Sequence, residues 1–180
     1  MQDEAQVINL VRAGNTDAFT EIVERYQGSI IRYLHRLTGE YEVALDLAQD
    51  TFVRAYQGIL KTDAELSLKP WLYKIATNLA RQHHRRKRIL SFVPFTHVKE
   101  LKSSSAADKA EERLAIGEAL RKVPAEQRNC IVLHFVEGLN YREIGEILGT
   151  SEDAVRKRVV RGSEKFRQAY RQQEVSKDEV

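Results

Sequence analysis

The chain has 180 residues and a mass of 20.7 kDa, enough for one ordinary domain or two small ones. With 31% charged residues and no apolar run near the roughly 20 residues of a bilayer span, it is not an integral membrane protein. A single cysteine, Cys130, excludes an internal disulfide framework and a cysteine-based zinc site, and the net charge of +3 conceals a strong segregation along the chain.

The start, Met1 to Asn9, carries Asp3 and Glu4 and no basic region followed by an apolar core, so no signal peptide is expected. Three prolines and nine glycines favour long helices in a soluble, intracellular, mostly α-helical protein. Asp17 can cap a first helix in which Phe19, Ile22, Val23, Tyr26, Ile30, Tyr33, Leu34 and Leu37 recur at steps of three and four, ended by Gly39. A second helix runs from about Val43 to Ile59. It has an apolar stripe of Leu45, Ala48, Phe52, Ala55 and Ile59, and Asp46, Asp50, Val53 and Gln57 lie nearly opposite, with Gln49 at the margin. Leu60 to Lys69 is too polar and irregular for a helix interior. Pro70 then suits the first turn of a third helix that runs through Trp71, Ile75 and Leu79 toward Arg88. Pro94, the serine triplet 103–105 and the lack of any period mark Ser91 to Ala107 as linker. A second helical group follows from about Asp108 to Tyr170, with a frayed end after Gln172.

Charge follows this division. Met1 to Glu65 holds 6 Lys/Arg against 11 Asp/Glu, whereas Leu66 to Lys99 holds 8 Lys/Arg and no acid. Ala154 to Arg171 has 7 basic residues against Glu164 alone. One such run is commonly a solvated face; two, each on a predicted helix, point to a polyanion. On the third helix, Trp71, Tyr73, Lys74, Asn78, Arg81, Arg85, Arg86 and Lys87 combine aromatic and cationic groups that can stack on unpaired bases and follow phosphates, although a tryptophan such as Trp71 is more often core than base platform. Adjacent His83 and His84 point about 100° apart on a helix, with no thiol or carboxylate nearby, so no metal site is expected.

In the second group, Pro124 opens a helix that Gly138 closes, and Asn140 with Glu143 forms a capping pair for a short helix from Tyr141 to Leu148. Gly149 supplies a turn, and Thr150 or Ser151 caps the next helix. Short helix, glycine turn and longer helix is the helix-turn-helix arrangement. Val155, Val159, Gly162 and Phe166 share the packed face of the last helix. Asp153, Arg156, Lys157, Val160, Arg161 and Glu164 share the opposite face. Arginine's rigid fork can hold both guanine acceptors or two phosphate oxygens, so this face suits a major groove; an ordinary hairpin with a basic exposed side has the same pattern.

Several motifs, in this order and spacing, together resemble bacterial sigma factors of the extracytoplasmic-function group, sigma-70 family. Asp17-Ala18-Phe19 with Tyr26 resembles region 2.1, and Asp46-Leu47-Ala48-Gln49-Asp50-Thr51-Phe52-Val53-Arg54-Ala55-Tyr56 resembles region 2.2. Pro70-Trp71-Leu72-Tyr73-Lys74-Ile75-Ala76-Thr77-Asn78-Leu79 resembles regions 2.3 and 2.4; Pro124 to Arg128 and Gly138 to Ile144 resemble region 4. The departures fall mainly on DNA-reading positions: Gln82 in place of an acid, Ile144-Gly145, Asp153-Ala154-Val155, and Leu66 and Leu68 where phenylalanines are usual.

The resemblance implies an all-α fold of two small helical domains. They are a sigma-2 bundle over 1–90 and a sigma-4 helix-turn-helix domain over 113–180, joined by a flexible linker over 91–112. It implies a cytoplasmic, non-enzymatic protein without cofactor or metal that binds core RNA polymerase, through the β′ clamp helices and the β subunit, and promoter DNA. An anti-sigma factor is the implied regulator. Asp46, Gln49, Asp50 and Val53 would bind the polymerase. Leu66, Leu68, Trp71, Lys74, Asn78, Arg81, Arg85, Arg86 and Lys87, with the Thr62–Lys69 loop, would engage the minus-10 element. Ser151, Arg156, Lys157, Val160, Arg161 and Lys165 would engage the minus-35 element. The residues also admit a stand-alone helix-turn-helix regulator of duplex DNA, or a helical adaptor whose basic faces meet acidic proteins.

Overall fold

The computed structural model describes residues 4–61, 66–90 and 107–178, and among these the regular structure is helical throughout. The stretch that reads as linker lies mostly outside the described residues, and its predicted end at 112 falls inside a helix that begins at Ala107.

Helix α1, Glu4–Arg12, was not evident in the sequence; it buries Val7, Ile8 and Val11, and its Glu4 accepts a 2.6 Å hydrogen bond from the Tyr26 hydroxyl. Helix α2, Thr16–Thr38, has its cap at Asn15, two residues before the expected one. Asn15, in extended backbone, accepts from the Asp17 and Ala18 amides at 3.0 and 3.2 Å. Both residue types cap helices well, and Asn15, placed first, satisfies the orphan amides. Asp17 falls in the first turn, where its charge complements the helix dipole. Gly39 ends α2 in the left-handed conformation, φ 78°, with its amide bonded to the His35 carbonyl at 2.8 Å.

Helix α3, Tyr41–Ile59, packs on α2, and helix α4, Leu68–Leu90, packs on both. The buried arc of α3 includes Ala44, Leu47 and Thr51 as well as Ala48, Phe52, Ala55 and Ile59, because two neighbours cover it; Leu45 is left half-buried at the margin. On α4, Leu68, Leu72, Tyr73, Ala76, Leu79 and Ala80 enter the core. Pro70 is the third residue of α4 rather than its first. The difference is harmless, since a first-turn amide has no intrahelical acceptor.

Helices α5, Ala107–Lys122, α6, Ala125–Ile131, and α7, Tyr141–Leu148, all pack on α8, Glu152–Asp178. The helix expected to run from Pro124 to Gly138 instead widens at Val132–Val136 into a π-helical turn, with the Glu137 amide bonded to the Val132 carbonyl at 3.1 Å. The wide turn re-aims the residues around it: Phe135 is 67% exposed, while Glu137 is only 8% exposed. Glu137 meets α4, where it accepts the Tyr73 hydroxyl, and its carbonyl accepts Lys69 Nζ at 2.5 Å. Helix α7 also packs on α4, and the Arg81 guanidinium donates through both terminal nitrogens to the Leu148 carbonyl at 3.3 Å. The two helical groups therefore share a seam, and their buried residues join one core.

Candidate polymerase and nucleic-acid interfaces

Three surfaces hold the residues singled out by sequence. The first is α3, whose packing on α2 and α4 leaves Asp46, Gln49, Asp50, Val53 and Gln57 exposed on one side. Sequence reasoning missed the groove beside them. It measures about 480 Å³ and runs between α2 and α3 along Phe19, Val23, Ile31, Leu45, Phe52 and Tyr56, with Gln49 and Val53 on its wall. Its signal was present in Phe19 and Val23, read as part of the apolar stripe of α2 but left half-buried beside the fully buried Ile22 and Tyr26. The Phe19 and Tyr56 rings meet edge-on at 5.1 Å. An apolar groove edged by carboxylates suits a partner helix that is apolar on one stripe and cationic beside it.

The second surface is on α4. Trp71 is half-buried, and its indole lies where a Cβ on Gly58 would come within 2.7 Å, so only glycine lets α3 approach the ring this closely. Trp71, Ile75 and Asn78 line a cleft of about 610 Å³ together with Arg54, Arg81, Gln82 and Arg85. Sequence reasoning brought together Trp71, Asn78, Arg81 and Arg85. It missed Arg54, which arrives from α3 and shares no local pattern with α4. Lys74, Arg86 and Lys87 are exposed outside the cleft, and Lys87 pairs with Glu40 at 2.5 Å.

Leu66 and Leu68 differ from the expectation of a base-contacting loop. Leu66 is half-buried against the core, and Leu68, 1% exposed, is part of that core, since it opens α4 on its inward face. Leu68 is therefore closed to a base in this conformation. Residues 62–65 of the expected loop lie outside the described residues.

His84 donates through Nε2 to the Leu37 carbonyl at 3.2 Å. Burial lowers its pKa below the usual histidine value, and the cations Arg128 and Lys87 with the neighbouring His83 act in the same direction; the Leu37 bond opposes them. No cluster of three or more metal-ligating side chains occurs among the described residues. Burial raises the Cys130 thiol to about 11, which makes it a poor nucleophile.

The third surface is built by α7 and α8. Asn140 and Glu143 form a reciprocal capping box, the two bonds measuring 2.9 and 2.8 Å. Gly149 turns the chain with φ 67°, and a Cβ on Gly145 would lie 2.7 Å from the Thr150 carbonyl, so the departure to glycine here permits a tight turn. Ser151 caps α8, its hydroxyl accepting from the Ala154 amide at 3.2 Å. Val155 and Val159 enter the core, while Arg156, Lys157, Val160, Arg161 and Lys165 are exposed on the other side. Arg158 turns away to pair with Glu126 of α6 at 2.8 Å, so it tethers the helix instead of joining the exposed row. The Arg156 side chain is held by Glu152 at 3.5 Å and lies over the Tyr141 ring at 5.7 Å.

Comparison with known proteins agrees with this arrangement. Residues 22–89 match the family described as Sigma-70 region 2, and residues 113–166 match Sigma-70, region 4. The ECF RNA polymerase sigma factor SigW of Bacillus subtilis is 33% identical over 177 residues, covering 91% of this chain and 95% of that protein. RNA polymerase sigma factor CarQ of Myxococcus xanthus is 31% identical over 159 residues, covering 87% of this chain and 91% of that protein. The fold is shared with the sigma factor RpoE of Bartonella quintana, solved in complex with the anti-sigma factor NepR. The TM-score is 0.74 at 21% identity, over 85% of this chain and 96% of that one. No helix among the described residues is long and apolar enough to cross a membrane. The family consists of transcription initiation factors that direct RNA polymerase to promoters, and this chain belongs to it as an extracytoplasmic-function (ECF) sigma factor.

Proposed function

We propose that this sigma factor divides its work among the three surfaces described above. Residues 1–90 act as the sigma-2 domain and 113–180 as the sigma-4 domain, with 91–112 between them as connection. Asp46, Gln49, Asp50 and Val53 dock α3 on the β′ clamp helices of core polymerase, with the adjoining apolar groove receiving the partner's non-polar stripe. The α4 cleft takes an unpaired minus-10 base: Trp71 offers a ring face, Asn78 can donate to and accept from a base edge, and Arg54, Arg81 and Arg85 surround the phosphates. Lys74, Arg86 and Lys87 extend the phosphate track. Arg156, Lys157, Val160, Arg161 and Lys165 enter the minus-35 major groove, with Ser151 at the helix start.

The cleft carries this reading, since an amide, an indole and three arginines line one space of about 610 Å³, ample for a nucleotide. Strand opening then needs no bond chemistry. Unpairing a base costs a few kcal/mol, and stacking at about 1–3 kcal/mol per base, with hydrogen bonds, offsets it. The chain accordingly acts without catalysis of its own, in the cytoplasm, under control of an anti-sigma factor; the Bartonella quintana protein that shares its fold was solved in complex with one. The test is run-off transcription with purified core polymerase on genomic promoter fragments. Specific transcripts that require both core and this chain are expected. Equal binding to duplex promoters without core, and no transcript with it, would instead indicate a stand-alone regulator.

A further inference from the structure

Arg156 stands on the exposed face of α8, yet its guanidinium is held in place from two sides. Glu152, one turn earlier on the same helix, lies 3.5 Å from Nη2. From α7, the Tyr141 ring lies beneath the guanidinium carbon, 5.7 Å from ring centre to Cζ. Tyr141 in turn rests on His134 of the π-helical turn, with ring centres 4.6 Å apart. His134 is fixed by its own Nδ1–H, which donates to the Leu139 carbonyl at 3.0 Å. Three elements thus supply a chain of contacts: an imidazole, a phenol ring tilted 42° against it, and a guanidinium over that ring.

The two holds differ in what happens as DNA approaches. Glu152 is an exposed carboxylate, and an exposed ion pair is weak and screened by salt. Phosphates arriving at α8 repel its charge. The Tyr141 ring is neutral, and its face attracts a cation without competing with an incoming anion. An unheld arginine must lose rotamer freedom on binding, whereas a guanidinium already ordered on a ring surrenders less.

We propose that Tyr141 is a specificity-positioning residue, which pre-orders the Arg156 guanidinium over α7 for base readout in the minus-35 groove, with His134 as its support. This rests on the reading of α8 as the minus-35 helix. It separates the roles of the two helices: α8 supplies the reading group, and the first residue of α7 aims it. Tyr141 is N1 of α7, next to the capping box but outside it, so truncating the ring leaves the Asn140–Glu143 bonds intact.

The experiment uses the full chain with core polymerase and a promoter library randomised at the minus-35 element, scored by transcription. Arg156→Ala identifies the position that Arg156 reads. Tyr141→Ala should lower base preference at that same position by about two- to five-fold, the size of an exposed cation–ring contact. Tyr141→Phe, which retains the ring, should keep the wild-type preference. Tyr141→Ala should add nothing in an Arg156→Ala background. Core co-purification and melting temperature, measured for every variant, separate aiming from folding. The proposal is overturned if Tyr141→Ala preserves the preference, if its effect persists without Arg156, or if Tyr141→Phe weakens all sequences alike. The last result would mean that the hydroxyl grips phosphate. If Arg156→Ala itself leaves every minus-35 preference unchanged, the assignment of α8 fails, and the role of Tyr141 fails with it.

Discussion

Replacing Glu137 with alanine should loosen the seam between the two helical groups. Tyr73 is fully buried on α4, its ring edge-on to Tyr33 with centres 5.0 Å apart, and its hydroxyl donates to the Glu137 carboxylate. Alanine at 137 removes that charged acceptor, for which the neighbouring Ser29 hydroxyl is a weaker substitute, and a buried donor left poorly satisfied costs about 1–3 kcal/mol. Because the two residues lie on opposite sides of the seam, the loss falls on docking of the groups, a shift of roughly 5- to 150-fold in that equilibrium. Tyr73→Phe with Glu137→Leu removes donor and acceptor together and should restore much of the loss. Urea unfolding and small-angle scattering of the full chain would measure stability and compactness for each variant. Alkali gives an independent arm. Burial, then the bond to Glu137, raises the Tyr73 pKa above its ordinary 10. A group raised in the folded state contributes stability that is complete below pH 10 and is lost as pH climbs above it. Tyr73→Phe should therefore blunt the alkaline loss. An unchanged urea midpoint and unchanged scattering for Glu137→Ala would refute the reasoning.

Three other outcomes are expected. Asp46→Arg with Asp50→Arg should abolish co-purification with core polymerase while circular dichroism stays unchanged, since both side chains are solvated and like charges across an interface cost several kcal/mol. His84→Gln should flatten the acid dependence of stability between pH 8 and 5. The folded-state pKa of His84 is depressed, so its contribution is complete above the unfolded value near 6.5 and lost as pH falls below it; an equally steep slope in the variant would rule His84 out. Asn78→Ala should permit core binding but reduce permanganate reactivity of minus-10 thymines at equal holoenzyme occupancy, with a mismatched, pre-melted promoter restoring part of the activity.

What the sequence disclosed and what it withheld follow from the range of the forces involved. The Asn140–Glu143 capping box is a contact between residues three apart, and the turn at Gly149 is equally local, so both were legible. Asn15 and Asp17 show where local rules have equal solutions, and the choice depends on backbone conformation. The α3 stripe was found in phase but too narrow, because a buried arc widens when two helices cover it. The π-helical turn carries no signature in Val132–Val136, an apolar run that suits an ordinary helix. Its consequence, the inward turn of Glu137 toward Tyr73, joins residues 64 apart and leaves no periodic trace. Leu68 misled for a related reason: a leucine beside an irregular segment reads as exposed until the helix start is known. The acid face of α3 and the cationic face of α4 were both legible as patterns, but the cleft between them required knowing that Arg54 reaches Trp71 and Asn78.

The placement of charge on α3 and α4 is itself a device for orientation. Packed helices lie about 8–10 Å apart, close to the Debye length of about 8 Å at physiological salt. Carboxylates on the outer side of α3 and cations on α4 can therefore address different partners without cancelling each other. A basic docking partner is attracted to Asp46 and Asp50 and repelled by Lys74, Arg85 and Arg86; DNA experiences the reverse. Like-charge repulsion against the wrong face fixes polarity as firmly as attraction to the right one. Arg81 stands at the junction of this scheme with the seam. Its two terminal nitrogens donate to the Leu148 carbonyl, but a guanidinium carries five N–H donors, and the others remain for phosphate. A lysine there, a compact charge with three donors, could hold the end of α7 or follow the DNA backbone, but not present a planar edge to each. An arginine at this position lets the C-terminal helices stay docked on α4 while its outer edge keeps donors for the phosphates that the proposed function places there.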